Sequence, residues 1–408
     1  MRIRSKKGVG INRGVKGLKG NIFIQLIKSI LQSKNATMFI FKMKGNLTMD
    51  FLEKVLDNQV TESEELVKLY DYDLYTLGEA ADHMRQNMHQ KIVYFNVNRH
   101  LNPSNICADA CKFCAFSAHR KNPNPYEMSL EEILEKVKNS YNKGIKEVHI
   151  VSAHNPNYSY EWYLKVFETI KQEMPNLHLK AMTAAEVHFL STKFNKPFEL
   201  VLEDMLKAGV DSMPGGGAEI FDEEIRRKIC SGKVGSSRWL EIHAYWHKLG
   251  KMSNATMLFG HIEDKIHRID HMLRIKKTQS PKNKVENKEG GFNAFIPLLY
   301  QKENNYLKVG KSPSAIEILK TIAISRILLN NIPHIKAYWA TLGLNLALVA
   351  QEFGANDLDG TIEIESIQSA AGAKSRHGLE KEDLVFKIKD SGFVAVERDS
   401  LYNFIQKF

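Results

Sequence analysis

Cysteine is scarce in this sequence, with four residues in a chain of 408, and three of them fall between positions 107 and 114. A small fold held together by disulfides needs an even set of cysteines spread along the chain. The count and the clustering therefore exclude a disulfide scaffold. They favour a reducing compartment, and the cytoplasm is the expected location.

Long apolar runs are also lacking, because no segment has eighteen uninterrupted apolar residues. The apolar patch of the leader, Ile22–Leu31, is short and is interrupted by Lys28. A helix that crosses a bilayer needs about 20 predominantly apolar residues. We therefore expect no membrane span and no membrane partner. Hydrophobic residues at 43% and charged residues at 25% are typical of a globular protein with a sizeable core.

Acidic residues are absent from positions 1–49, which carry eleven Lys or Arg; the first acid is Asp50. The net charge of +10 lies in this leader, since the remaining residues hold 46 basic and 47 acidic side chains. The body of the protein is thus close to neutral, and we expect no nucleic-acid partner. The leader could be a targeting peptide, a disordered tail or translated sequence upstream of a start at Met38, Met43 or Met49. We favour the last two interpretations.

The clustered cysteines are Cys107, Cys111 and Cys114, in the segment Asn105–Phe116. Thiolates at this spacing can hold one soft metal centre from a single loop, either zinc or an iron–sulfur cluster. A structural zinc site needs four protein ligands, and only the distant Cys230 could supply a fourth. Three thiolates on a 4Fe-4S cluster leave one iron open, which is a catalytic arrangement. A non-catalytic zinc or electron-transfer protein that uses Cys230 remains the alternative from a different functional class.

Hydrophobic periodicity predicts four segments: the leader at 1–49, an N-terminal helical cap at 50–90, an α/β parallel (β/α) barrel at 91–372, and a C-terminal extension at 373–408 packed on the barrel. A doubly wound open sheet is the structural alternative. In a barrel the active site lies at the C-terminal ends of the strands, and the cysteine segment follows the first of them. The eight predicted strands are 92–97, 148–151, 178–182, 211–213, 255–259, 292–298, 334–339 and 357–363.

The cysteine spacing, with an aromatic Phe113 before the last cysteine, resembles the cluster motif of the radical S-adenosylmethionine (SAM) enzymes. The resemblance implies one 4Fe-4S cluster held by the three cysteines, with SAM on the open iron and Phe113 beside its adenine. Three further segments narrow the resemblance to the aminofutalosine synthase family of the futalosine route to menaquinone: Ser212–Phe221, Ser253–Glu263 and Gly291–Leu298. Cyclic dehypoxanthine futalosine synthase, of the same pathway, and the deazaflavin-forming radical SAM enzymes have similar segments.

This resemblance implies a radical transferase. The 5′-deoxyadenosyl radical from SAM adds to the double bond of 3-[(1-carboxyvinyl)oxy]benzoate, and rearrangement with loss of a carboxylate as bicarbonate gives aminofutalosine. SAM is then a consumed co-substrate, and methionine is released. A reduced flavodoxin or ferredoxin is the expected electron donor. Cyclic dehypoxanthine futalosine synthase activity is the alternative within the same class.

Residues after the second to fifth strands are candidates for binding SAM. Gly215, Gly216 and Gly217 would let the backbone approach the ligand, or would only form a tight turn. Ala153 and His154 stand where the superfamily usually has a glycine-rich segment that binds the SAM amino group. Glu186 is a candidate hydrogen-bond partner of SAM, and His261 could face adenine or substrate; either could be structural instead.

The substrate carries two carboxylates, so a cation should reach the barrel mouth. Arg99, after the first strand, and Arg376, after the eighth, are the candidate carboxylate binders, and each could instead be a surface cation. His243 and His247 lie four residues apart on a predicted helix, as do His267 and His271. With no third ligand in view, we expect these pairs to be structural rather than metal-binding.

Overall fold

Eight strand positions close into a parallel barrel, in agreement with the prediction. The computed structural model describes residues 47–118, 124–279, 284–285, 288–373 and 378–408, and its backbone divides into two units, residues 1–53 and 54–408. The second unit contains the barrel. Its strands are β1 Ile92–Asn96, β2 Asn98–Leu101, β3 Glu147–Ile150, β4 His178–Ala181, β5 Met252–Phe259, β8 Gly291–Leu299, β9 His334–Ile335 and β10 Asp357–Gly360, and β6 Lys284–Val285 and β7 Lys288–Glu289 form a separate hairpin.

Strand pairing closes the barrel without an open edge. β2 pairs with β3 and β3 with β4; β5 pairs with β8 and β8 with β9. Single parallel bridges at Ser212 and Met213 join β4 to β5, and a bridge from Lys336 to Asp357 joins β9 to β10. β10 pairs with β1, and β1 and β2 are consecutive parts of the first of the eight strand positions, so the ring is complete. Two bridging residues are thus all that remains of the predicted fourth strand.

The helices alternate with these strands along the chain. Apolar side chains at helical spacing bury one face, and Ser129 and Thr183 start two of the helices with full capping boxes. The helices are α1 Leu47–Leu56, α2 Ser63–Leu66, α3 Leu74–His89, α4 Leu130–Tyr141, α5 Tyr160–Glu173, α6 Ala184–Lys193, α7 Phe198–Lys207, α8 Glu223–Cys230, α9 Ser236–Lys248, α10 Lys265–Thr278, α11 Ala315–Leu328, α12 Trp339–Leu342, α13 Leu344–Val349, α14 Ile367–Ala370 and α15 Lys381–Asp390.

The predicted N-terminal helical cap is present as α2, a short 3-10 helix at Val67–Asp71, and α3. It is tied to the barrel helix α11. The Tyr70 hydroxyl lies 3.2 Å from the Thr321 hydroxyl, and the Lys320 ammonium donates to the Tyr70 carbonyl at 2.8 Å.

The C-terminal residues close the N-terminal end of the barrel. Strand β11, Val394–Arg398, pairs in parallel with β1, and β12, Phe404–Lys407, follows antiparallel. The Arg398 guanidinium donates to the Asp357 carboxylate at 2.8 Å, with both side chains at most 1% exposed. The Tyr402 ring stacks on His334 at 3.5 Å between centroids. The sequence predicts an extension on the barrel exterior; the structure instead places Arg398 and Tyr402 at the beginnings of β10 and β9.

Two predicted elements end early for local reasons. The seventh strand is predicted to reach Trp339, but it ends at Ile335, and Trp339 begins α12. The apolar spacing also predicts a helix over 343–353. This helix begins at Leu344 and gives way to a 3-10 turn after Val349. Gly343, at φ 77°, separates α12 from α13, because a left-handed backbone cannot continue a helix. The boundaries of the four predicted segments stay predictions.

Candidate active site

The three clustered cysteines lie in a loop, residues 105–118, that follows β2 at the C-terminal end of the barrel; we call it the cysteine loop. Backbone hydrogen bonds fix it to two neighbouring segments. The Ala108 N–H donates to the His154 carbonyl at 2.9 Å, and the Lys112 N–H donates to the Ile229 carbonyl at 2.7 Å. The loop is therefore held between the segment after β3 and the end of α8.

The thiols of the cysteine loop are suited to holding a metal cluster. Cys111 is buried, Cys107 and Cys114 are partly exposed, and all three are free of disulfides. Burial raises the pKa of Cys107 and raises the pKa of Cys111 well above its usual value, so metal must displace protons to bind. Three soft ligands on one short loop fit an iron–sulfur cluster with one iron open to another ligand.

Cys230 is the last residue of α8, and its side chain is buried. Burial raises its pKa to about 11. Among the described residues, the ligand atoms that converge within 4.8 Å belong to Cys107, Asp109 and His154, and Cys230 is not in that group. Cys111 and Cys114 are also outside that group, so the interpretation of Cys230 as a packed thiol rests on its burial.

His154 and Asp109 form a contact that sequence reasoning did not find for the aspartate. The His154 Nδ1 lies 2.9 Å from the Asp109 carboxylate, and the side chains are 8% and 13% exposed. Burial raises the pKa of Asp109, but the hydrogen bond and charge of His154 outweigh it and leave that pKa lowered. The His154 ring also stacks on Phe189 of α6 at 5.0 Å. His154 is thus a junction between the cysteine loop, the segment after β3, and α6.

Phe113 is partly exposed in the cysteine loop, next to a buried ion pair. The Lys233 ammonium lies 5.7 Å from the centre of its ring and 2.8 Å from the Glu219 carboxylate. Burial lowers the pKa of Lys233, but Glu219 and the nearby thiols outweigh it, so the pKa is raised well above its usual value. The ammonium is therefore charged and lies near both Phe113 and the thiols, and Glu219 balances its charge.

Glu186 ties together the segments after β3 and β4. Its carboxylate accepts hydrogen bonds from the Ser152 N–H at 2.8 Å and from the Thr183 N–H at 2.7 Å. Burial raises its pKa although these hydrogen bonds favour the charged form. The two acceptor contacts hold Ser152, and hence the adjacent Ala153 and His154, in place. The role of Glu186 and Ala153 in binding SAM stays a prediction.

The glycines at 215–217 are needed for close backbone packing. A Cβ on Gly215 would meet backbone atoms of Asn254 and Ala255 at 2.8 Å, and one on Gly217 would meet the Ala185 Cβ at 2.6 Å. Gly217 also has a φ of +88°. These contacts support the tight-turn interpretation, while contact of the glycine segment with SAM stays a prediction.

His261 is fully enclosed, with no exposed side-chain area. Its Nδ1 lies 3.1 Å from the Glu263 carboxylate, and its Nε2 lies 3.1 Å from the Leu258 carbonyl. Glu263 also accepts from Arg268 at 2.7 Å. Burial lowers the pKa of His261 despite the opposing charge of Glu263. These contacts hold the turn after β5, and they give no support to a direct contact with adenine or substrate.

Neither candidate carboxylate binder gains support from the structure. The Arg99 guanidinium donates to the Ser140 hydroxyl of α4 at 2.6 Å and to the Glu363 carboxylate at 3.2 Å. Arg99 therefore faces the outer helices rather than the barrel interior, because neighbouring residues of a strand point to opposite faces. Arg376 lies outside the described residues.

Charged side chains inside the barrel were missed by sequence reasoning. Lys180 pairs with Glu147 at 2.6 Å, and Lys336 pairs with Asp359 at 2.5 Å. Beside them His149 Nδ1 lies 3.4 Å from His100 Nε2. The available signal was a polar residue at alternate positions of strands predicted to be buried on both faces.

The predicted histidine pairs on the outer helices are structural. His243 and His247 both hydrogen-bond to the Ser253 hydroxyl, at 2.9 and 2.7 Å. His271 hydrogen-bonds to the Thr256 carbonyl, and His267 caps the start of α10. Among the described residues, none of these histidines belongs to a group that could hold a metal.

Comparisons with known proteins agree with an active site built around the cysteine loop. Residues 101–274 match the radical SAM superfamily, and residues 289–407 match the CofH/MqnC C-terminal region. The fold is similar to that of methylornithine synthase, with a TM-score of 0.66 and 17% identity over 84% of this chain and 96% of that one. It is also similar to the FeFe-hydrogenase maturase HydG from Carboxydothermus hydrogenoformans, with a TM-score of 0.65 and 14% identity over 95% of this chain and 87% of that one. The chain belongs to the radical SAM superfamily.

Its curated relatives define the group more narrowly. Aminodeoxyfutalosine synthase of Thermus thermophilus is 39% identical over 86% of this chain and 94% of its own length. The enzyme of that name from Streptomyces coelicolor is 34% identical over 90% of this chain and 96% of its own length. Cyclic dehypoxanthine futalosine synthase of Streptomyces coelicolor is 34% identical over 86% of this chain and 88% of its own length. The chain is thus a radical SAM enzyme of the group that includes the aminodeoxyfutalosine synthases.

Among the described residues, none of the helices has the length and apolar character that a membrane span requires.

Proposed function

We propose that this enzyme adds the 5′-deoxyadenosyl group of SAM to 3-[(1-carboxyvinyl)oxy]benzoate, forming aminofutalosine (in full, aminodeoxyfutalosine) for menaquinone biosynthesis and releasing methionine and bicarbonate. The observation that carries the proposal is the similarity to the Thermus thermophilus synthase, which is 39% identical over 86% of this chain and 94% of its own length. The three-thiol loop at the mouth of a closed barrel supplies the site that this chemistry needs.

Cys107, Cys111 and Cys114 would hold one 4Fe-4S cluster, and the open iron would bind SAM. When bound and reduced, that cluster supplies the electron that cleaves SAM. Phe113 would lie beside the adenine, and residues 152–154 and 215–217 would form the walls of the SAM site. The buried Lys233–Glu219 pair would keep the surroundings of the cysteine loop rigid. The enclosing barrel would keep water and oxygen from the radical.

A reduced flavodoxin or ferredoxin would deliver the electron. Lys112, between two of the cysteines, is exposed and therefore accessible to such a protein. The proposed location is the cytoplasm.

The second candidate is the cyclic dehypoxanthine futalosine synthase reaction, since that relative is 34% identical over 86% of the chain. The two activities use different substrates, so a product assay separates them.

The test is an anaerobic assay with the reconstituted enzyme, dithionite, SAM and 3-[(1-carboxyvinyl)oxy]benzoate, followed by mass spectrometry. We expect aminofutalosine and methionine. Formation of 5′-deoxyadenosine alone would show radical chemistry on the wrong substrate, and dehypoxanthine futalosine would then replace the benzoate. Untouched SAM with a full complement of iron would overturn the proposal.

A further inference from the structure

A row of polar side chains crosses the inner wall of the barrel. His100 on β2, His149 on β3 and Lys180 on β4 are aligned by strand register, and a bridge from Lys180 continues the row to Ser212. Their strand neighbours Arg99, Val148 and Leu179 take the opposite face, where Arg99 contacts Ser140 of α4. The row therefore faces the barrel interior, because strand residues alternate between faces.

The wall next to β2 on its other side, formed by β10 and the residue after β9, continues this interior surface. Asp359 on β10 lies 3.8 Å from the His100 ring and 2.5 Å from the Lys336 ammonium. Lys336 also lies near enough to Lys180 for the two charges to influence each other. We call His100, His149, Lys180, Lys336 and Asp359 the interior cluster.

Several hydrogen-bond donors of the interior cluster have no acceptor among the described residues. A lysine ammonium has three N–H donors. Among the described residues, Lys180 has Glu147 as its acceptor and Lys336 has Asp359, with side chains 5% and 1% exposed. The Nε2 of His149 is buried, and within the described part of the chain it has no hydrogen-bond partner. It is a donor in the tautomer in which the His149 Nδ1 accepts from the His100 Nε2. Buried donors without acceptors cost free energy, so the surface is built to receive an acceptor-rich group.

The charges of the interior cluster indicate which group that is. The two lysines are balanced by Glu147 and Asp359, so the surface is neutral but rich in donors. A carboxylate supplies acceptor oxygens without any donor, which matches the unfilled positions. His100 precedes Cys107 by seven residues and His149 precedes His154 by five, so the interior cluster lies below the cysteine loop in the barrel.

We infer that the interior cluster is the subsite for the benzoate carboxylate of the substrate, with Lys180, Lys336 and His149 as its donors. This inference rests on the proposed function. The double bond that receives the adenosyl group must lie near the cysteine loop, so the aromatic carboxylate is the end that reaches into the barrel. Lys180, Lys336 and His149 then take the place of Arg99, whose guanidinium is engaged outside the barrel.

The test compares the substrate with its benzamide analogue, in which a neutral amide replaces the aromatic carboxylate. Dissociation constants are measured by calorimetry on the reconstituted enzyme without reductant, so that no turnover occurs. For the wild type we expect the carboxylate to bind about 10- to 100-fold more tightly than the amide, as charge-assisted hydrogen bonds require.

Two variants remove donors without leaving a buried charge unpaired. His149→Phe should weaken carboxylate binding about tenfold and leave amide binding within about threefold. The double variant Lys336→Met with Asp359→Asn removes a balanced pair, and it should lose most of the preference for the carboxylate. His247→Gln, a buried histidine that contacts Ser253 on the outer side of β5, is the matched control and should keep the preference. If the double variant fails to fold, the His149→Phe comparison decides by itself.

The outcomes separate this inference from the proposed function. If the wild type converts the substrate and both variants keep the full carboxylate preference, the interior cluster is not the subsite and the inference is overturned. If the wild type neither binds nor converts the substrate, the proposed function fails, and this inference fails with it. Loss of carboxylate preference in the two variants, with the preference kept in His247→Gln, supports the subsite.

Discussion

The Nδ1 of His154 lies 2.9 Å from the carboxylate of Asp109, and this contact links the cysteine loop to the segment that follows β3. The backbone adds a second link between the same segments, since the Ala108 N–H donates to the His154 carbonyl. A loop that must hold a cluster in one position is thus fixed to the segment after β3 by both a side-chain and a main-chain contact.

Asp109→Asn should loosen the cysteine loop. The substitution keeps the shape but replaces a charge-assisted hydrogen bond, which contributes about 1.5–3 kcal/mol when mostly buried. We expect faster amide hydrogen exchange across residues 105–114 and a lower iron content after reconstitution. Asp204→Asn, which alters a carboxylate bonded to Tyr160 on the outer helices, is the control. Equal exchange rates in the two variants would contradict a positioning role for Asp109.

Cys230→Ala should keep the cluster, whereas Cys107→Ala, Cys111→Ala and Cys114→Ala should each lose it. Cys230 is a buried thiol on α8, and the three others share one loop. Iron and sulfide content, together with the visible absorption of the reconstituted proteins, gives the measurement. Loss of iron from Cys230→Ala would support the alternative in which Cys230 is the fourth ligand of a non-catalytic metal site.

Gly215→Ala should destabilise the fold by about 1–3 kcal/mol, because the new methyl group cannot be accommodated. It would lie 2.8 Å from backbone atoms of β5, which cannot shift as a flexible side chain can. Urea unfolding of the metal-free protein measures the change. Gly310→Ala is the matched control, since a Cβ there meets nothing within 4 Å, and its effect should stay within about 0.5 kcal/mol. Similar values for the two variants would rule out the packing explanation.

Stability should fall as the pH drops from 7.5 to 5.5. Burial lowers the pKa of His247 and of His271 to about 3, whereas an unfolded histidine has a pKa of about 6.5. Between these values the unfolded chain binds more protons than the folded one, so acid favours unfolding. Each histidine should cost about 1.4 kcal/mol of unfolding free energy at pH 5.5.

The check on this pH effect is urea unfolding at the two pH values. His247→Gln should show a smaller loss of stability on acidification than the wild type, because one of the buried neutral histidines is gone. An unchanged pH dependence in this variant would show that His247 is protonated in the folded protein or does not contribute.

Arg99→Gln should change stability rather than substrate binding. The guanidinium is bonded to Ser140 and Glu363 on the outside of the barrel, so its removal should cost about 1–3 kcal/mol. We expect an unchanged KM for the benzoate substrate in the product assay. A large rise in KM with unchanged stability would show that Arg99 does contribute to substrate binding.

Local patterns in the sequence predicted much of this structure. The strands predicted at 92–97, 148–151 and 178–182 follow from hydrophobic periodicity, and β1, β3 and β4 match them to within one residue at each end. The barrel follows from strand and helix alternation, and the cysteine loop from its spacing. These features depend on residues close together in the chain, which is why one sequence could reveal them.

The errors share one physical cause. The outward orientation of Arg99 depends on which face of β2 packs against α4, and the enclosure of His261 depends on Glu263 and Arg268. The contact between His154 and Asp109 joins residues 45 positions apart. Single-sequence patterns carry no information on such distant contacts.

The sequence by itself determined the class of this protein: three thiols at a fixed spacing after a first strand, within a chain whose periodicity builds a parallel barrel. The tertiary structure decided which side chains share the barrel interior. His149, Lys180 and Asp359 come from three strands and Lys336 from the residue after β9, and they meet because the barrel closes and its strands are in register. Closure is a property of the whole ring of hydrogen bonds, so it cannot be read from any one strand.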